Sequence, residues 1–198
     1  MRIIGGIHRS RKIRAPKGHD ASRPITDRVK ENLFNRLMAI DVTGDGRVLD
    51  VFCGTGSLGL EALSRGAEHC TFVERDRSTR QLLEQNLRDL RLSEQGTVLA
   101  VDVLTRGWLG LLAKHSLRLV FCDPPYALTR QAEGMKQILS LLVAISDVVD
   151  LDGVCVLRTE RDVAPGQAAG WDRPRSFVEG TMALHLYVRT LEGARTDL

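Results

Sequence analysis

A doubly wound, mostly parallel α/β sheet is the fold this sequence predicts, and three observations predict it. Short apolar runs alternate with longer stretches of helical period, the pattern of successive βα units. A glycine-rich turn, Gly54-Thr55-Gly56-Ser57-Leu58-Gly59, joins one such run to one such stretch, the setting in which backbone approaches a ligand at a helix N-terminus. Four successive runs also carry an acid at or near their C-terminal ends, Asp50, Glu74, Asp102 and Asp123, along the rim where open α/β sheets bind ligands.

The chain opens with a basic extension. Residues 1–30 hold nine basic side chains (Arg2, Arg9, Arg11, Lys12, Arg14, Lys17, Arg23, Arg28, Lys30) against Asp20 and Asp27, a balance of +7 in a chain of net charge +3, so the remainder carries −4. A cationic arm on a mildly acidic body is the footprint of a polyanion binder. Ile3, Ile4, Ile7 and Ile13 are interspersed in it. Apolar residues at that density dock on something, so the arm is expected to be folded, with flexible tips around Lys17-Gly18-His19-Asp20. Thr26 or Asp27 then caps a helix whose stripe, Val29, Leu33, Phe34 and Leu37, packs against the body.

Beyond that helix the patterning predicts strands near 48–52, 70–73, 98–101, 117–122 and 153–158, with helices near 57–65, 77–90 and 130–146. Gly166 to Trp171 reads as a loop. Arg175 to Val188 holds two strand-like pieces around Glu179-Gly180, an antiparallel C-terminal hairpin at one sheet edge. Right-handed crossovers bring the glycine turn and the loop after the fourth strand to one rim. The 198 residues suit a single domain, an arm of 1–30 and a core of 31–198.

Gly54, Gly56 and Gly59 satisfy G-x-G-x-x-G, which suits a dinucleotide as well as another nucleoside ligand. Asp50, Phe52 and Cys53 crowd the approach to the turn. A carboxylate there repels a pyrophosphate and welcomes a cation, such as the sulfonium and α-amino group of S-adenosylmethionine. Glu74 closes the next apolar run at a distance that suits an acid on both ribose hydroxyls; it also opens a charged run, Glu74-Arg75-Asp76-Arg77, that solvation alone would explain. Asp102, with Val103 beside it, is placed to accept from an adenine amino group, or is a plain strand-terminating acid. The fourth run, Leu117 to Cys122, delivers Asp123-Pro124-Pro125-Tyr126. Proline fixes φ and has no N–H, so the Pro124 carbonyl is held with little freedom. The Asp123 carboxylate and that carbonyl can accept both hydrogens of one –NH₂ group while the Tyr126 ring covers a flat heterocycle. An ordinary turn draws on the same residue types.

The combination resembles the Rossmann-like S-adenosylmethionine-dependent methyltransferases of exocyclic amines, and more closely the RsmD family. The narrowing segments are Arg2-Ile3-Ile4-Gly5-Gly6 and Arg23-Pro24-Ile25-Thr26-Asp27-Arg28-Val29-Lys30-Glu31-Asn32-Leu33-Phe34, followed by Gly59-Leu60-Glu61-Ala62-Leu63-Ser64-Arg65-Gly66-Ala67 and the Asp-Pro-Pro-Tyr turn. Phe52-Cys53 departs from the family's commoner Tyr-Ala or Phe-Ala, at unchanged loop length. The resemblance implies methyl transfer to N2 of a guanine, guanine 966 in the usual numbering of 16S rRNA, in the small ribosomal subunit or its assembly intermediate. Asp50, Phe52, Gly54, Gly56, Glu74, Asp102, Val103 and Asp123 are then expected at the cofactor. Asp123, Pro124 and Tyr126 are expected to be catalytic, Tyr126 stacking on a base drawn out of its neighbours. Arg9, Arg11, Lys12, Arg14, Arg23 and Arg28 are expected to face the RNA, together with Tyr126.

Composition agrees with a single soluble enzyme, which is expected to be cytoplasmic and a monomer. No apolar run reaches the roughly 18 residues of a membrane span, and the charged start offers no secretory signal. Cys53, Cys70, Cys122 and Cys155 are isolated in apolar stretches and the histidines are scattered, so neither zinc nor a redox dithiol is expected. A DNA adenine-N6 methyltransferase could use the same turn, but the chain lacks room for a separate DNA-reading domain. A glutamine methyltransferase would more usually carry Asn in place of Asp123. A nicotinamide-dependent oxidoreductase would leave Asp-Pro-Pro-Tyr without a purpose. A non-catalytic RNA-binding assembly factor is disfavoured by motifs that are all intact.

Overall fold

The computed structural model describes residues 1–16, 25–43 and 46–191. Its centre is a seven-stranded sheet in the order β3-β2-β1-β4-β5-β7-β6, built from β1 (Arg47–Val51), β2 (His69–Val73), β3 (Gly96–Leu99), β4 (Leu117–Cys122), β5 (Val149–Glu160), β6 (Arg175–Glu179) and β7 (Met182–Val188). The first five strands pair in parallel, whereas β7 runs antiparallel to both β5 and β6. The expected hairpin therefore forms the sheet edge, turning at Gly180 with φ 64°.

The strand order reverses direction between β1 and β4, which pair side by side with Val51 opposite Cys122. Such a topological switch point leaves a crevice at the carboxyl ends of the strands. Here it joins the glycine turn to the Asp123 loop: the Asp123 N–H donates to the Val51 carbonyl at 3.3 Å.

Helices α1 (Asp27–Ala39), α2 (Ser57–Ser64), α3 (Arg77–Leu90), α4 (Tyr126–Thr129) and α5 (Ala132–Ile145) cover the sheet. Thr26 is the cap of α1, its hydroxyl accepting from the Val29 N–H at 3.3 Å, and Val29, Leu33, Phe34 and Leu37 are buried as the stripe requires. Asp76 caps α3 through the Thr79 N–H at 2.7 Å. One sheet face packs with α1, α2, α3 and residues of the N-terminal arm; the other packs with α5 and the 3₁₀ turns at 103–105 and 107–111.

Several boundaries differ from the sequence expectation. β3 lies at 96–99 because Gly96, opposite Cys70, lets Leu87 and Phe72 close over the strand; Ala100 and Val101 have already left the sheet. β1 ends at Val51 because Phe52 turns to φ 58°. The expected helix at 130–146 is α5, beginning at Ala132, and an additional short helix, α4, precedes it, joined through Arg130 and Gln131. β5 begins four residues early and passes through an irregular register opposite Leu117 to Leu119, with Asp152 at φ 63°.

The arm docks as expected through Ile3 and Ile13, both buried, and an isolated antiparallel bridge pairs Arg2 with Lys12. Ile7, also expected to dock, is instead 82% exposed at the tip of this loop. The tips expected at 17–20, and Arg23, lie outside the described residues.

Candidate active site

The glycine turn is shaped by left-handed backbone at alternate positions: Phe52, Gly54 and Gly56 have φ of 58°, 56° and 84°. Phe52 carries a real cost there, on the order of 1–2 kcal/mol, and such strain gathers at ligand clamps. A side chain on Gly54 would meet no atom within 4 Å, so this is the open wall, whereas one on Gly59 would lie 2.4 Å from the Phe72 ring.

Asp50 sits beneath the turn, 1% exposed. Its Oδ2 accepts from the Gly59 N–H at 2.8 Å, while Oδ1 is buried and has no hydrogen-bond partner. Burial pushes the Asp50 pKa up to about 8; the charges of Asp123 and Glu74 add to the rise and the Gly59 N–H opposes it. An orphaned carboxylate oxygen beside an open wall fits a ligand that brings a cation or a donor.

Glu74 follows β2 and belongs to the same rim. One of its oxygens accepts from the Gly54 N–H at 3.1 Å and the other from the Asp76 N–H at 2.8 Å. A carboxylate has about four acceptor sites, so this acid can brace the glycine turn and still receive hydroxyls. Asp102 is more heavily engaged: Oδ1 caps the 3₁₀ turn at Leu104, 2.9 Å away, and Oδ2 pairs with Arg75 at 2.8 Å. The Leu104 N–H and Arg75 hold its pKa below the usual carboxylate range. Val103 is buried directly behind it, its carbonyl receiving the Trp108 indole N–H at 3.0 Å.

Asp123 stands across the switch point from Asp50. Its side chain is 20% exposed, and Oδ1 accepts from Arg158 Nε at 2.5 Å. Burial raises its pKa, opposed by the Arg158 charge and hydrogen bond. Pro125 leads directly into α4, of which Tyr126 is the first residue. The Arg158 guanidinium lies 5.5 Å from the centroid of the Tyr126 ring. Arg158, 3% exposed, thus touches both ends of the motif, and sequence reasoning missed it. The signal was available: it closes the apolar fifth strand as the acids close the others.

The basic residues divide. Arg11 Nη2 donates to the Asp89 carbonyl at 2.9 Å and Arg14 Nε to the Asp89 carboxylate at 3.0 Å, so both are committed in part to α3. Arg9, Lys12 and Arg28 are exposed, and no ion pair joins them to another described residue. Asn86, also missed, is 1% exposed. It bonds both the N–H and the carbonyl of Arg14, at 2.7 and 3.2 Å, and donates to the Thr55 carbonyl at 3.1 Å. One side chain therefore ties the arm to the glycine turn.

The other tie is Glu61, fully buried on α2. Its carboxylate accepts from the N–H groups of Ile4 and Gly5 at 2.8 and 2.7 Å and pairs with Lys30 at 3.2 Å and Arg65 at 2.9 Å. Lys30, equally buried, also donates to the Arg2 carbonyl at 2.7 Å. The segments that narrow the resemblance at Arg2–Gly6, Lys30 and Glu61–Arg65 are thus one clasp.

Comparison with known proteins bears on the fold and the family. The family model described as Conserved hypothetical protein 95 matches residues 1–188. The chain is 35% identical over 195 residues to ribosomal RNA small subunit methyltransferase D of Escherichia coli K12, covering 98% of this chain and 92% of the relative. It is 32% identical over 191 residues to the Haemophilus influenzae protein of the same name, covering 94% and 93%. The solved structure of yhhF from Escherichia coli superposes with a TM-score of 0.75 at 34% identity, covering 96% of this chain and 97% of that one.

Proposed function

We propose, for a chain that belongs to the Conserved hypothetical protein 95 family, the RsmD family of rRNA methyltransferases, that it transfers a methyl group from S-adenosylmethionine to the exocyclic N2 of a guanine in small-subunit rRNA. The observation that carries the reading is the pairing of β1 with β4, which sets the Asp123-Pro124-Pro125-Tyr126 turn beside the glycine turn and the orphaned Asp50 oxygen.

When bound, S-adenosylmethionine supplies a methyl group on a sulfonium leaving group. The residues that would hold it are Asp50 toward the cationic end, Gly54 and Gly56 along the turn, Glu74 at the ribose, and Asp102 with Val103 at the adenine. Phe52 shapes the approach.

The guanine N2 lone pair is delocalised into the ring, so the nitrogen is a poor nucleophile. Asp123 and the Pro124 carbonyl accept its two hydrogens, which lets the nitrogen pyramidalise and turn its lone pair toward the methyl. Fixed acceptors then stabilise the positive charge that develops on nitrogen, electrostatic catalysis with the sign of an oxyanion hole reversed. With the donor bound, the methyl would pass from sulfur to nitrogen with the neutral thioether as leaving group, and the amine's surplus proton would go to Asp123 or water. Arg158 holds Asp123 Oδ1 and with it the direction of the other oxygen. Tyr126 stacks on the base, held flat against the ring face away from Arg158. Arg9, Lys12 and Arg28, with Arg11, Arg14 and Arg23, supply charge for the phosphates.

The test is to incubate the protein with labelled S-adenosylmethionine and small subunits lacking the modification, then map the labelled base. Label on N2 of a single guanine is expected. Label on adenine, or none, would reject the reading.

A further inference from the structure

The grip on the amine does not by itself identify guanine. An acceptor pair for –NH₂ would take 2,6-diaminopurine equally well, because that base keeps the same amine. What distinguishes guanine is the rest of its Watson–Crick edge, a donor at N1 followed by an acceptor at O6. A reader for that edge needs an acceptor and a donor side by side, next to the stacking ring.

Such a pair stands at the end of β5. Glu160 lies two residues beyond Arg158, so both side chains leave the same face of the strand, and Arg158 is the residue that holds Asp123. Glu160 receives Arg130 in a two-point contact, Nε to Oε2 at 2.5 Å and Nη2 to Oε1 at 2.6 Å. Arg130 follows α4, its backbone N–H donating to the Tyr126 carbonyl at 3.0 Å. The pair is therefore placed from both sides, by the strand that positions Asp123 and by the helix that Tyr126 begins. Tyr126, Arg130, Glu160, Arg161, Gly180 and Thr181 line one open cleft of about 620 Å³.

The chemistry of the pair suits the task. A carboxylate accepts at more sites than one guanidinium fills, and a guanidinium carries five N–H donors in a fixed plane. Arg130 spends its Nε hydrogen and one Nη2 hydrogen on Glu160, which leaves the second Nη2 hydrogen as the donor beside the carboxylate.

We infer that Glu160 and Arg130 read the Watson–Crick edge of the target base, Glu160 accepting from guanine N1–H and Arg130 donating to O6. This specificity device rests on the guanine-N2 reading above and adds the residues that select the base. Adenine and 2,6-diaminopurine present an acceptor at N1 and a donor at C6, so both meet the pair with like against like.

The experiment uses small subunits reassembled around rRNA that carries either guanine or 2,6-diaminopurine at the mapped position, with labelled S-adenosylmethionine. Wild type is expected to favour guanine by roughly 5- to 150-fold in kcat/KM, the value of one well-made bidentate base contact. Glu160→Gln should narrow that preference to within a few-fold, because an amide can donate to N1. Arg130→Met should slow transfer to guanine while leaving the rate on 2,6-diaminopurine unchanged or raised. Unchanged S-adenosylmethionine affinity and melting temperature would show that the variants fold. Equal rates of wild type on the two bases, or a full preference kept by both variants, would overturn the inference while the amine chemistry stands. Failure of wild type on guanine itself would overturn the parent reading and this one with it.

Discussion

Arg158 reaches from the fifth strand to Asp123, Nε 2.5 Å from Oδ1, with its guanidinium 5.5 Å from the Tyr126 ring centroid. The pair sits at the rim where two other acids, Asp50 and Glu74, face the same crevice. Three carboxylates so close would favour protonation of at least one, and the arginine opposes this at the residue whose lone pairs the proposed chemistry needs. Asp123→Ala is expected to lower kcat by at least about a hundredfold, as loss of a charged group from such a site does, with S-adenosylmethionine affinity within a few-fold. It should also cost roughly 1–3 kcal/mol of stability by leaving Arg158 without its carboxylate. Arg158→Met removes the influence that lowers the Asp123 pKa, so the acid limb of the kcat/KM profile should move to higher pH. Single-turnover transfer and a pH profile measure both; a fixed acid limb would show that Arg158 does not govern Asp123.

Asp50 makes the stability of the ligand-free protein depend on pH. Its pKa is about 8 in the fold and near 3.9 in the unfolded chain. Between those values the native state binds the extra proton, so its stability falls as pH rises, by up to about 1.4 kcal/mol per pH unit. Asp50→Asn should flatten that slope and melt higher than wild type at pH 8. In wild type, S-adenosylmethionine affinity should rise toward pH 8 as Asp50 ionises, and in the variant it should be weaker and level. Melting and calorimetry from pH 5 to 9 decide; equal slopes for the two proteins would reject the role.

Glu74→Ala should weaken S-adenosylmethionine binding by roughly 1.5–3 kcal/mol, the range for hydrogen bonds to a charged group. Because Glu74 also receives the Gly54 and Asp76 N–H groups, faster hydrogen exchange at Gly54 should accompany the loss. Affinity unchanged by calorimetry would remove Glu74 from the ribose.

The arm's cations should not be equivalent. Arg11 and Arg14 already hold Asp89, whereas Arg9 and Lys12 make no ion pair with another described residue. Replacing Arg9 and Lys12 by alanine should reduce the slope of log affinity against log salt by up to about one unit each. The Arg11 and Arg14 pair should change it less, and S-adenosylmethionine binding should be untouched by either. Salt titrations of subunit binding that ran parallel for all three proteins would mean the arm does not face the phosphates.

The clasp at Glu61 should be worth more than any surface pair. Its carboxylate is fully buried and serves Ile4, Gly5, Lys30 and Arg65. Glu61→Ala should cost about 3–5 kcal/mol, since Lys30 would be left buried without its counter-charge. Gly6→Ala should release the arm alone, because its Cβ would lie 1.7 Å from the Ser64 carbonyl oxygen at a φ of 74°. Urea denaturation and protease sensitivity near Ser10 measure the two effects, and wild-type stability in Glu61→Ala would deny the clasp.

What the sequence by itself determined is what periodicity and adjacency encode. Apolar runs of period two and 3.6 mark strands and helices because burial repeats with the backbone geometry. The glycine turn, the strand-end acids and Asp123 to Tyr126 are each local in the chain, so their shapes could be read where they stand. The tertiary structure alone decided which charges meet. Arg158 finds Asp123 across 35 residues, Asn86 finds Arg14 across 72 and Glu61 finds Ile4 across 57. Those partners depend on strand order, register and docking, which no short window contains. A charged side chain looks the same in sequence whether it ends in solvent or beneath a helix; only the packing around it sets whether its charge is solvated or answered by a particular partner.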